Sequence, residues 1–200
     1  PDQDFMARAA YPVALDPVIE AATGSANISD AKVCSGNPNT NYQSSLQAGL
    51  HATVGIKRFF IKYDNLPTLN AADTIINAQL KLWCSEENTR LQISAHQVLG
   101  DWQADTLTWN NKPDFTATAI DYQLVGPVGD YQWEITDIAR QWYETGENYG
   151  VMFKASNAAE GNTTNPQERS FSSSSAQSQY RPTITIQYVT PMVTRIIGSF

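Results

Sequence analysis

Histidine and carboxylate are the residues from which a hydrolase or lyase site would be built, and this chain offers few of them in useful company. Its 200 residues include two histidines, His51 and His96. Nucleophilic catalysis needs a base beside the nucleophile, and no Gly-x-Ser-x-Gly elbow accompanies either ring. Alternation puts His96 on the outward face of a strand, and His51 falls in a loop, so both read as exposed surface residues. Asp101, Asp105 and Asp114 cluster around Trp102 and Trp109, and Glu86 and Glu87 share a turn. Paired carboxylates could do glycosidase work. In turns, however, such groups more often bond to backbone N–H groups. No catalytic residue is expected, and the chain is not expected to be an enzyme.

Binding chemistry is better represented. A pyranose presents an apolar C–H face to an aromatic ring and hydroxyls to planar amides. Trp83 is the strongest candidate, because alternation turns it outward beside Lys81 and Gln79. Trp102 and Tyr122 follow, in turn-rich stretches. Trp109, Trp133 and Trp142 sit in motifs that read as core. Asp30, Asn37, Asn39 and Asn41 lie near one loop and could give oxygens to a structural calcium ion. Asx-turns without metal explain them as well, and no cofactor is assigned. Cys34 and Cys84 fit no zinc spacing; they read either as a disulfide or as two buried free thiols, with a lean to the thiols.

The elements that must position these residues are strands. Ile76, Ala78, Leu80, Leu82 and Cys84 alternate with Asn77, Gln79, Lys81 and Trp83. Leu91, Ile93 and Ala95 alternate with Gln92, Ser94 and His96, and Val151, Phe153 and Ala155 with Met152, Lys154 and Ser156. Ile184, Ile186 and Tyr188 continue the pattern, as do Phe59, Ile61 and Tyr63. Period two places one set against a core and the other outside. Phe60 and Lys62 mark a strand partly covered on both sides. Breaker clusters such as Asn37-Pro38-Asn39 and Gly126-Pro127-Val128-Gly129 separate the runs. One helix of about two turns is expected, capped by Thr136 or Asp137, with Ile138 and Trp142 on one face and Gly146 at its end. It should plug one end of a sandwich. Residues 157–167 read as a polar loop, and Ser172 to Ser175 as the fraying end of a strand or a loop.

Composition excludes several partners. The net charge is −7, with 13 Lys+Arg against 20 Asp+Glu, so a nucleic acid backbone would be repelled. No apolar run reaches the roughly 20 residues of a membrane span, and no signal peptide opens the chain. Both ends read as cut from a longer protein.

Taken in order, Asn37-Pro38-Asn39-Thr40-Asn41-Tyr42, Arg58-Phe59-Phe60-Ile61, Leu107-Thr108-Trp109-Asn110-Asn111-Lys112-Pro113, Trp133-Glu134-Ile135-Thr136-Asp137-Ile138, Asn148-Tyr149-Gly150 and Arg181-Pro182-Thr183-Ile184-Thr185-Ile186 resemble the DNRLRE domain. That is a β-sandwich module of secreted bacterial and archaeal proteins, part of which is classed as a carbohydrate-binding module family. Cys34, Cys84 and Gln43 depart from its pattern. The stretch Tyr11-Pro12-Val13-Ala14-Leu15-Asp16-Pro17 is similar to the lead-in before this domain in large wall-associated and RHS/YD-repeat proteins. The resemblance implies secretion to the cell surface and a non-catalytic role.

The resulting expectation is an all-β, two-sheet jelly-roll β-sandwich over residues 28–189. An extended arm (1–27), one short helix and a C-terminal tail (190–200) complete it. It would bind polysaccharide or cell-wall glycan as an adhesion module, or serve as a scaffold against neighbouring domains of its own polypeptide. It would bind no nucleic acid and insert into no membrane.

Overall fold

A computed structural model of the chain describes residues 14–15, 18–21 and 27–191, the first two stretches by backbone alone. Most of the expected arm, its Tyr11–Pro12–Val13 lead-in and nearly all of the expected tail lie outside the described residues. The strands in chain order are β1 (Ala14–Leu15), β2 (Val18–Ala21), β3 (Ile28–Cys34), β4 (Leu46–His51), β5 (Gly55–Tyr63), β6 (Thr74–Cys84), β7 (Leu91–Gln97), β8 (Asp121–Val125), β9 (Gly129–Glu134), β10 (Val151–Ala155), β11 (Glu168–Phe171) and β12 (Thr183–Pro191). Among the described residues two helices, α1 (Thr136–Thr145) and α2 (Asn157–Glu160), interrupt them. All ladders are antiparallel.

The hydrogen-bonded path curls over itself. One sheet runs β3-β5-β10-β7-β8. The facing sheet runs β9-β6-β12-β2. The β4–β11 pair bridges them, touching β5 on one side and β6 on the other. This is the all-β sandwich that period two implies. Phe59, Phe153, Phe171 and Trp133 meet at its centre, with Phe59 and Phe153 stacked at 4.8 Å. The Trp133 indole N–H, from one sheet, donates to the Ile93 carbonyl of the other at 3.0 Å.

Helix α1 closes one end, burying Ile138, Ala139 and Trp142. Gly146 ends it in the left-handed conformation (φ 75°), its N–H returning to the Trp142 carbonyl at 2.9 Å. Thr136 does not cap it as expected. Its hydroxyl accepts the N–H of Ala78 at 2.8 Å and so docks the helix on β6.

Two departures from simple alternation have physical causes. On β6 the ladder to β12 shifts register, with Gln187 opposite Asn77 but Tyr188 opposite Ile75. The bulge spends Ile76, so Ile75 takes the core position and Ile76 is 42% exposed, not buried as its spacing implied. On the first sheet, the outer face of β3, β5 and β10 is covered too. Val98, Trp102 and Leu107 from the segment after β7 pack on Ala31, Val33, Phe60 and Met152 as a second, smaller core.

The serine run after β11 is pinned and does not fray. Ser172 N–H donates to the Trp83 carbonyl at 3.0 Å, and Ser174 N–H to the Asp30 carboxylate at 2.5 Å. Asp30 is buried, and burial pushes its carboxyl up to about 6 against the opposing pull of Ser174. Its folded pKa therefore lies above its unfolded value, so the folded state holds the extra proton. Stability falls as pH rises from about 4 to about 6, by roughly 3 kcal/mol. Asp30→Asn keeps an oxygen for Ser174 and loses the charge. Urea denaturation is expected to show the variant roughly 2–3 kcal/mol more stable at pH 7.5 and equal to the parent near pH 3.5. Equal stability at both pH values would contradict this.

Candidate functional site: an aromatic and amide platform on the outer sheet face

The outer face of β9-β6-β12 is polar, its side chains half-buried on β6 and β12 and exposed on β9. Trp83, Lys81 and Gln79 point outward at alternate positions of β6. The ladders put Asp130, Gln132 and Glu134 opposite them on β9, and Thr183, Thr185 and Gln187 alongside on β12. Neighbouring strands are about 4.8 Å apart and alternate residues roughly 6.7 Å apart, so these groups form a regular grid. The side chains of Gln79, Gln132, Thr185 and Gln187 have no hydrogen-bond partner among the described residues, and Thr183 bonds only its neighbour Arg181.

Trp83 stands at one end of this grid. Its ring packs against Tyr180 with centroids 4.7 Å apart and planes at 40°. Both rings are half-buried. Tyr180 closes the short 3-10 turn Ser178–Tyr180 that feeds β12. Alternation identified Trp83, Lys81 and Gln79 from the sequence. It missed Tyr180, because that residue sits in a turn where period two does not operate. The cue was its position just before Arg181-Pro182, where the strand begins.

The other two proposed contact residues separate. Trp102 is 5% exposed. Its ring meets Phe60 edge-on at 5.7 Å, and its N–H is held by the Tyr149 carbonyl at 2.8 Å. It fills the second core and leaves no face for a ligand. Tyr122 is 56% exposed on β8, on the opposite side of the sandwich from Trp83.

The groups that could suggest catalysis do not assemble. His96 is 6% exposed and not the surface histidine alternation implied. It does point outward, but Phe115 packs over it edge-on at 5.5 Å. His51 ends β4, and its Nδ1 accepts the Thr53 N–H at 3.1 Å. The Lys62 ammonium, 2.9 Å away, holds the Asp101 carboxyl below its usual range, the reverse of what an acid catalyst needs.

The loop asparagines are used locally. The Asn37 amide donates to the Tyr42 hydroxyl, Asn41 to the Ala104 and Leu107 carbonyls, and Asn39 accepts from Asn110. Among the described residues no three His, Cys, Asp or Glu side chains converge as a metal site. Cys34 and Cys84 are buried free thiols and not a disulfide, being held on β3 and β6.

A cavity of about 570 Å³ lies between Leu50, His51, Glu86, Asn88, Asn165 and Gln167. No Trp, Tyr or Phe ring lines it. No helix among the described residues is long and apolar enough to cross a membrane.

Comparison with known proteins adds the chemistry. The model of carbohydrate-binding module family 96 matches residues 21–188. The chain is also 27% identical over 197 residues to the tRNA nuclease WapA of Bacillus subtilis (strain 168), covering 90% of this chain and 8% of that protein. The figures are the same for the tRNA(Glu)-specific nuclease WapA of Bacillus subtilis subsp. natto (strain BEST195). The chain thus spans a small fraction of the curated relatives it matches.

Proposed function

We propose that this chain, which belongs to carbohydrate-binding module family 96, holds a polysaccharide on the outer face of β9-β6-β12. Trp83 and Tyr180 would stack on pyranose rings, and Gln79, Gln132, Thr185 and Gln187 would read hydroxyls. The observation that carries this reading is the run of unpaired amides and hydroxyls aligned with a half-exposed aromatic pair. A sheet face suits the side of an extended chain. Each contact is weak, and avidity with other modules of a longer polypeptide raises the overall affinity.

The setting we propose is a secreted, cell-surface protein in which the module serves adhesion. The short share of the curated relatives that the chain covers supports a place within such a long polypeptide. The nuclease activity in the relatives' names is not proposed for this segment, whose charge of −7 opposes a polyphosphate. A second reading, a scaffold packed against neighbouring domains, draws support from the same small share. It predicts that the platform binds no glycan.

Affinity electrophoresis in gels carrying hydroxyethylcellulose, xylan, laminarin, pectin or alginate tests the proposal. At least one polysaccharide should retard the protein. Trp83→Ala should weaken that retardation at least about tenfold, the loss of roughly 1.4 kcal/mol expected of an aromatic anchor. Retardation unchanged in the variant would overturn the assignment of the site.

A further inference from the structure

The opposite sheet carries a groove of another shape. Between β7, β10 and residues 115–119 lies a cavity of about 370 Å³. Ser94, His96 and Lys154 form its floor, and Phe115, Gln92 and Asn157 stand around them. The volume is at the small end of ligand cavities, which run roughly 300–1,000 Å³, enough for a sugar ring rather than a passing chain. Tyr122 and Leu124 pair with Ser94 and Gln92 on the neighbouring ladder, so they share this face. They are 56% and 51% exposed and extend it with apolar surface.

The polar groups of the groove define what fits. His96 Nδ1 is 2.7 Å from the Thr116 carbonyl. A carbonyl only accepts, so Nδ1 carries the proton, and Nε2 of the neutral ring is an acceptor. Nε2 has no partner among the described residues. Burial, and then the nearby Lys154 and Arg58, hold His96 below its usual range despite the Thr116 bond and Glu160. The two cations are already engaged. Arg58 grips Glu160 through Nε at 3.1 Å and Nη2 at 2.7 Å. Lys154 bonds Asn157 and lies 3.4 Å from Glu160. The Gln92 amide donates to Ser94 Oγ at 3.4 Å, so what stays open among the described residues is His96 Nε2, the Ser94 hydroxyl proton and the Gln92 amide oxygen, beside an aromatic edge. That set matches a ligand that donates hydroxyl protons and bears no charge.

We propose that this groove is a second carbohydrate site, taking one uncharged pyranose unit as a chain end or side branch, with a sugar hydroxyl donating to His96 Nε2. It rests on the carbohydrate-binding class of the family but not on the Trp83 platform. With a site on each face, one module bridges two glycans.

The chain has two histidines, so side-chain imidazole signals in NMR resolve the two cases cleanly. The probes are the methyl glycosides of glucose, galactose, mannose and N-acetylglucosamine, titrated into the intact chain. At least one should move the His96 signals saturably and leave His51 in place. Ser94→Ala should weaken that response at least fivefold, and Trp83→Ala should leave it intact. No movement of His96 with any of the four, or a response lost in Trp83→Ala and kept in Ser94→Ala, overturns the second site. Movement of His96 in a protein that no polysaccharide gel retards would sink the platform and leave this site standing.

Discussion

Replacing Glu160 by glutamine is expected to destabilise the fold by about 3–5 kcal/mol, the usual cost of stripping a buried cation of its partner. Glu160 is buried, and it is the carboxylate that holds both Arg58 and Lys154 on the outer face of the first sheet. Arg58 is also flanked by the Trp109 and Phe115 rings at 5.2 and 5.4 Å, and its side chain is only 15% exposed. Burial already pulls the Lys154 ammonium below its usual range, with Glu160 opposing. Glutamine keeps the shape and removes the charge, so packing is not the variable. Urea denaturation at pH 7 measures the change. The exposed Arg140–Asp137 pair serves as control, since Asp137→Asn should cost less than about 1 kcal/mol. A loss below 1 kcal/mol for Glu160→Gln would show that the cations relax into solvent and that the groove is more open than described.

Trp133→Ala is the second large effect, expected at about 5 kcal/mol, the upper range for truncating a buried aromatic. The ring is fully buried and lies edge-on to Phe153 at 5.1 Å and to Phe171 at 5.9 Å. Its loss opens a cavity between the sheets and removes the indole hydrogen bond to the Ile93 carbonyl. At roughly 2–4 °C per kcal/mol for a chain of this size, melting should fall by about 10–20 °C. Trp133→Phe separates the two contributions, because it restores most of the volume but not the N–H. It should recover more than half of the loss. A melting temperature within a few degrees of the parent for Trp133→Ala would mean that the two sheets do not depend on this ring.

The sandwich was legible because β strands with one face on a core must alternate, and β6, β7, β10 and β12 do. Phe60 and Lys62 even marked the strand with two covered faces. What alternation could not see was local or distant geometry. A bulge costs one residue and swaps Ile75 for Ile76. A covering segment brought from residues 98–115 buries Trp102, and Phe115 caps His96, though nothing near either residue in sequence announces it. The Asn-rich stretch after β10 conceals α2, whose Ser156 cap and buried Glu160 answer charges on other strands. Of the proposed platform, Trp83 with Gln79 and Lys81 was readable from its strand. Gln132, Thr185 and Gln187 become part of it only once the ladder register is known.

The most direct test of the glycan platform is chemical-shift mapping on the isotopically labelled chain. The added ligand is an oligosaccharide of whichever polysaccharide retards it. The account predicts saturable shifts of the Trp83 indole N–H and of the Gln79, Gln132 and Gln187 side-chain amides. The indole of buried Trp133 should stay still. Binding that leaves all four platform signals unmoved and shifts residues at the cavity around Glu86 and Asn88 would contradict it.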